Sequence, residues 1–143
     1  MRRVKPKQIL VVDDDEGVRE SLGCVLAEEG YRVQSAADGA QALEIAKCAS
    51  PDLVLLDVKL RDKSGWDVCG RLVQLRPLMP VVVITAKPNQ LFTALAAGVG
   101  ALLEKPLHIP KLLQTVSHLL KESVEARLAR VSGKLAEFHY VQA

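Results

Sequence analysis

The chain has no apolar stretch approaching the roughly 20 residues needed to cross a bilayer, which excludes a membrane-spanning helix. Its N-terminal Met1-Arg-Arg-Val-Lys-Pro-Lys meets only a short apolar run, too brief for an export signal. A location in the cytoplasm, with no membrane partner, is the expectation. Cysteine is scarce: Cys24, Cys48 and Cys69 are an odd number at wide spacings, without a C-x-x-C pair. That excludes a disulfide framework and a thiolate zinc site and suits a reducing compartment. Aromatics are 3% of the residues, and the basic start of Arg2, Arg3, Lys5 and Lys7 is followed by no basic face interleaved with them. With 19 − 17 = +2 charges, no direct contact with nucleic acid is expected. Glycine and proline together number 16, and no low-complexity segment or repeat of 20–50 residues occurs, which excludes collagen, disorder and solenoids.

What is present is globular. With 49% apolar residues and 143 positions, the chain can bury roughly two thirds of its unfolded surface in one domain. Gln8-Ile-Leu-Val-Val12 is an aliphatic run of the kind found in a strand covered on both faces, and it ends in Asp13-Asp14-Asp15-Glu16. Those acids suit the start of a helix reaching Glu29, stopped by Gly30. The unit recurs. Tyr31 to Ala36 alternates and precedes a helix over Ala40 to Cys48; Leu53 to Leu56 ends in Asp57 and precedes a helix from about Trp66 to Arg76. Val81 to Ile84 ends in Thr85 and precedes an Ala-rich helix over about Asn89 to Ala97; Ala101 to Leu103 leads into Glu104-Lys105-Pro106. Five strands alternating with helices predict a doubly wound α/β sheet with helices on both faces. The last helix, from Ile109, shows no clear stop before about Ser132-Gly133 and is expected to be extended.

In such sheets ligands bind beyond the carboxyl ends of the strands, where the strand order reverses. Asp13, Asp14, Asp57, Thr85 and Lys105 are all expected at that edge. Alone, each has a plainer reading: the Asp13–Asp15 acids as a helix cap, Thr85 as a strand residue, Lys105-Pro106 as a surface turn. Together they suit phosphoryl chemistry. Clustered carboxylates repel, and a hard, oxygen-seeking cation such as Mg²⁺ relieves them. A metal, an ammonium and a hydroxyl then stabilise the charge on a transferring phosphoryl group.

The pieces Ile9-Leu-Val-Val-Asp13-Asp14-Asp15, Pro51-Asp-Leu-Val-Leu-Leu-Asp57, Gly65, Ile84-Thr85-Ala86, Ala97-Gly98 and Lys105-Pro106 resemble, in combination and order, the receiver domain of bacterial two-component response regulators. The resemblance covers about Lys7 to Lys121. It implies a flavodoxin-like sheet of order 2-1-3-4-5 with five helices, and a receiver domain over residues 1–121 followed by a helical extension or linker over 122–143. It implies that Asp57 is the phosphoacceptor, that Asp13, Asp14, Asp57 and the main-chain carbonyl of Lys59 hold Mg²⁺, that Thr85 and Lys105 contact the phosphoryl oxygens, and that the Lys105-Pro106 bond is cis. The partners implied are a sensor histidine kinase or phosphotransfer protein and a downstream effector domain or protein. A switch is expected, assisting only its own phosphorylation and dephosphorylation, and not an enzyme in the usual sense.

Departures from the family pattern matter too. Leu102 stands where an aromatic partner of Thr85 is common, so that relay is in question, and Leu60-Arg61 replaces a frequent Met-Pro pair. Lys59 and Lys87, two residues beyond Asp57 and Thr85, occupy positions that often set phosphoryl lifetime; as cations they are expected to hinder an attacking water, against the alternative of two solvated loop lysines. His108, His118 and His139 lack ligand spacing and read as surface residues, and Trp66 as a packing residue and reporter. Beyond Lys121, Val124, Leu128, Val131, Leu135 and Phe138 follow a 4-3-4-3 spacing, a two-heptad seam that suits a homodimer through the C-terminal helix or, alternatively, a linker. Two other readings compete. One is a haloacid-dehalogenase-like phosphatase with Asp13 as nucleophile and Asp15 as acid, which leaves Asp57 unexplained. The other is a receiver-like interaction module that is never phosphorylated.

Overall fold

Period-two patterning governs the sheet. In the computed structural model, which describes residues 5–62, 64–133 and 138–143, five strands carry the core: β1 (Gln8–Val12), β2 (Arg32–Ala36), β3 (Leu53–Asp57), β4 (Val81–Thr85) and β5 (Ala101–Glu104). Between them run α1 (Glu16–Glu28), α2 (Gly39–Ala49), α3 (Gly65–Leu75) and α4 (Leu91–Ala97), and α5 (Ile109–Leu120) follows β5. Alternate strand residues serve opposite faces. Leu10, Val12, Val54, Leu56, Val83 and Leu102 pack with α2, α3 and α4; Ile9, Val11, Leu55, Ile84, Ala101 and Leu103 pack with α1 and α5. Every residue of β3 and β4 is buried, as a parallel sheet covered on both faces requires.

Helix starts are set by side chains. Asp15 accepts from the Val18 amide at the head of α1, and Asp38 from the Gln41 amide at α2. His108 Nδ1 accepts from the Lys111 amide and so caps α5, an anchoring role that its bare surface reading did not include. Cys24 and Cys48 are exposed and Cys69 is buried, all as free thiols.

Two expectations about the C-terminal end are corrected. The extended last helix is two: α5 ends at Leu120, and α6 (Val124–Val131) starts from Ser123, whose hydroxyl accepts from the Ala126 amide. Arg127 reinforces the break, because its guanidinium donates to the carbonyls of Leu119 and Leu120 at the end of α5 and to the carbonyl of Leu78. Among the described residues, five strands also become six, and five helices become six. After α6 the chain forms β6 (His139–Val141), which pairs in parallel with β5, giving the order β2-β1-β3-β4-β5-β6. The two-heptad helical seam is therefore not formed: Val124, Leu128 and Val131 lie on the short α6, Leu135 falls outside the described residues, and Phe138 precedes a strand.

The order reverses between β1 and β3. Their carboxyl ends place Asp13 and Asp57 side by side at the point where a ligand is expected. Among the described residues no helix is long and apolar enough to cross a membrane.

Candidate functional site

Four strand ends build the site. Asp57 is the last residue of β3, 5% exposed, and each of its carboxylate oxygens is engaged: Oδ1 accepts from the Lys59 amide at 2.8 Å and Oδ2 from the Lys105 ammonium at 2.6 Å. Asp13, just beyond β1 and 2% exposed, lies beside the same ammonium, its Oδ2 3.8 Å from Lys105 Nζ. The Lys105–Pro106 peptide bond is cis. Thr85 ends β4; its hydroxyl is buried and accepts from the Lys87 amide at 3.0 Å.

The electrostatics follow from crowding. Burial pushes the Asp13 carboxyl up to about 6, the hydrogen bond from the Asp15 amide opposes the rise, and the neighbouring Asp57 carboxylate adds to it. Burial alone would lower the Lys105 ammonium, but its hydrogen bond to Asp57 and the charges of Asp57, Asp13 and Asp14 outweigh that, so the group stays firmly protonated.

Asp14 departs from the expected cluster. It is partly exposed and pairs with Arg61 at 3.5 Å. Among the described residues no group of three acidic or histidine side chains is drawn together. The remaining donors nevertheless fit a hard cation. Asp13 Oδ1 accepts from the Asp15 amide at 2.9 Å, whereas Asp13 Oδ2 is buried with no hydrogen-bond partner among the described residues. A buried carboxylate oxygen without a hydrogen bond, beside a second carboxylate, is a ligand position for an oxygen-seeking ion.

The loop after β3 is held at three points. The Gly65 amide donates to the Val58 carbonyl at 3.0 Å, and a β carbon on Gly65 would lie 2.1 Å from Val58 Cα, so only glycine permits this approach. Asp62 accepts from the amides of Gly39 and Ala40 at 2.9 and 3.1 Å, tying the loop to the head of α2. Lys59 forms a bridge with Ser64. Sequence reading passed over Asp62, and no local pattern marks it, because its partners lie 22 and 23 residues away. Arg19 was also missed; its guanidinium donates to the Asp13 carbonyl at 2.6 Å and pins the acidic turn to α1.

A cavity of about 640 Å³ opens over Asp57, lined in part by Lys59, Arg61, Trp66, Thr85, Lys87 and Lys105. Four cations at the mouth of an acidic floor suit an approaching anion. Trp66 is partly buried there and donates through Nε1 to Gln90 Oε1 at 3.2 Å. Leu102 does not reach this cavity. It is fully buried in β5, in register with Val83 on one side and Tyr140 on the other. His118 and His139, distant in sequence, come together with ring centroids 5.6 Å apart, which the linear spacing did not reveal.

A doubly wound sheet with paired carboxylates at its switch point and a lysine bridging them defines an acidic-pocket α/β protein. Residues 9–117 match the family described as response regulator receiver domain, and the chain belongs to that family, whose members act as signalling switches rather than enzymes. It is 38% identical over 120 residues to Response regulator MprA of Mycolicibacterium vanbaalenii, a match covering 82% of this chain and 52% of that one. It is 33% identical over 124 residues to Transcriptional regulatory protein GlrR of Escherichia coli, covering 85% of this chain and 28% of that one. The chain thus spans about half the length, or less, of these curated relatives. Among solved structures, a CheY-like response regulator receiver domain protein from Methanospirillum hungatei superimposes with a TM-score of 0.78 at 31% identity, covering 81% of this chain and 94% of that one. Family membership sets the phosphatase reading aside, and Asp15, its proposed acid, is engaged in capping α1.

Proposed function

We propose that Asp57 accepts a phosphoryl group from the phosphohistidine of a sensor histidine kinase or phosphotransfer protein, or from a small acyl phosphate. An Asp57 carboxylate oxygen attacks phosphorus, the bond from phosphorus to the donor's nitrogen or oxygen breaks with the electron pair leaving on the donor, and an aspartyl phosphate remains. Water later attacks that phosphorus and returns the carboxylate and inorganic phosphate. Lys105 neutralises charge on the phosphoryl oxygens, and the Thr85 hydroxyl, now an acceptor for the Lys87 amide, turns to donate to one of them. Asp13, Asp57 and the Lys59 carbonyl would hold Mg²⁺, with Asp14 joining them on release from Arg61, and the ion supplies further charge neutralisation when bound. The observation that carries this reading is the buried Asp13 Oδ2, without a hydrogen-bond partner among the described residues, beside an Asp57 already clamped by Lys105.

The phosphorylated domain presents an altered surface to a downstream effector domain or protein in the cytoplasm. The domain proper spans 1–121, and 122–143 is an extension whose β6 adds to the edge of the domain's sheet. The exposed Val124, Leu128 and Val131 of α6 support pairing of two copies through that helix; sedimentation showing a monomer at every concentration, with and without a phosphoryl mimic, overturns the pairing. The phosphoacceptor reading is tested by intact mass after incubation with acetyl phosphate and Mg²⁺. One adduct of a phosphoryl group is expected, absent from Asp57→Asn. No adduct, or one that survives that substitution, overturns it.

A further inference from the structure

A short edge strand sits beside the strand that leads into the site. β6 has three residues, all half-buried, at the outer edge of the sheet. Its backbone pairs with β5, the His139 amide donating to the Gly100 carbonyl at 3.3 Å. Phe138 and Tyr140 pack on the core face that contains Leu102, and Val141 packs on the opposite face. Two side chains add to that hold: Glu104 accepts from the Tyr140 hydroxyl at 2.8 Å and from the Ala143 amide at 3.3 Å, and the His139 ring lies 5.6 Å from that of His118. A short edge strand held this way belongs to the low-stability end of a structure, where local opening costs least.

Glu104 is also joined to the site. It pairs in register with Thr85, and the next residue is Lys105, whose amide donates to the Thr85 carbonyl at 2.8 Å and whose ammonium holds Asp57. Adding a phosphoryl group to Asp57 replaces a carboxylate oxygen at 2.6 Å from Lys105 with phosphoryl oxygens farther out in the cavity. Lys105 and Thr85 both flank Glu104, so any shift they make toward those oxygens reaches it directly. Any difference in β6 affinity between the two states becomes a coupling between strand docking and phosphorylation, equal in both directions.

We propose that the outer edge of β5 is an interaction surface for an extended peptide segment, and that β6 is its self-supplied occupant, released when Asp57 is phosphorylated. Release uncovers the strand's free backbone groups and the side of Leu102, the arrangement that accepts an added strand. The segment that fits adds in parallel, lays an aromatic side chain beside Leu102 and brings a hydroxyl donor to Glu104, as Tyr140 does. The inference rests on Asp57 as phosphoacceptor.

Hydrogen exchange of the full chain tests it, with the phosphoryl adduct followed in parallel by intact mass. On phosphorylation with acetyl phosphate and Mg²⁺, amides of β5 and β6 are expected to exchange at least tenfold faster while β1 and β3 stay protected, and Asp57→Asn is expected to show no change. Tyr140→Phe, which removes the hydroxyl that Glu104 holds, is expected to speed β6 exchange without any phosphodonor. A fluorescent peptide of residues 138–143 is expected to bind the phosphorylated chain at least tenfold more tightly than the unmodified one. An adduct with unchanged β5 and β6 exchange, or with equal peptide binding, overturns the latch and leaves the phosphoacceptor standing. Absence of any adduct overturns both.

Discussion

The Lys105 ammonium donates to Asp57 Oδ2 at 2.6 Å, so the end of β5 clamps the end of β3 across the intervening β4. The same ammonium lies 3.8 Å from Asp13 Oδ2, and one cation therefore serves two carboxylates. A charge-assisted hydrogen bond of this kind contributes roughly 1.5–3 kcal/mol. Lys105→Ala is expected to slow adduct formation from acetyl phosphate by about 10- to 100-fold, using about 1.4 kcal/mol per tenfold. A rate within twofold of wild type would remove Lys105 from the reaction.

Asp13 makes the metal-free protein pH-sensitive. Its folded value of about 6 lies above the ordinary 3.8, so the folded state binds its proton more tightly than the unfolded chain. Stability from this group is complete below pH 4 and is lost as pH rises through 6, a cost on the order of 3 kcal/mol at neutral pH. Asp13→Asn is expected to melt several degrees higher than wild type at pH 7 without metal, and at a similar temperature at pH 4. Mg²⁺ is expected to raise the melting temperature of wild type at pH 7 and to have much less effect on Asp13→Asn. Equal melting of the two proteins at pH 7 would contradict a strained, charged Asp13.

Lys59 and Lys87 are exposed at the mouth of the cavity. If they shield the phosphoryl group from water, Lys59→Ala and Lys87→Ala each shorten the lifetime of the phosphorylated protein several-fold, read as phosphate release from purified adduct. An unchanged lifetime makes them solvated loop lysines.

Gly65→Ala drives a β carbon to within 2.1 Å of Val58 Cα. The backbone that leads to the Lys59 carbonyl must move, at a cost of about 3 kcal/mol or more. The expected outcome is a lower denaturation midpoint together with weaker Mg²⁺ binding, and wild-type values for both would show that the loop yields freely.

Glu122 and Arg130 form an ion pair between the end of α5 and α6, their side chains only 8% and 9% exposed. Arg130→Ala strands the Glu122 carboxylate and is expected to destabilise the protein by about 3–5 kcal/mol, whereas Arg130→Met with Glu122→Leu is expected to recover most of that. Urea denaturation of both variants distinguishes a structural pair from a dispensable one.

Much of this protein is legible in its sequence, because the deciding patterns are local. Leu53 to Leu56 is apolar without a break, so it belongs in a covered strand wherever that strand lies, and Asp57 directly after it must stand at a strand end. Asp13, Thr85 and Lys105 are placed by the same reasoning, and the structure brings Asp13, Asp57 and Lys105 within hydrogen-bonding or ion-pairing distance. Asp14 pairs with Arg61, a partner that could not be read from the spacing.

The C-terminal third is different. The apolar spacing from Leu113 to Val131 continues through Lys121 as if one helix ran on, and the register of a helix says nothing about an arginine that reaches back to cap the turn before it. Arg127 closes α5 through carbonyls seven and eight residues earlier, and through Leu78, 49 residues away, which only the packed chain supplies. His139-Tyr-Val141 is too short to announce a strand; it becomes one because β5 offers an unpaired edge and Glu104 a carboxylate. Burial patterns repeat every two or 3.6 residues and are written along the chain, whereas edges, caps and clamps join residues far apart and exist only once the sheet has formed.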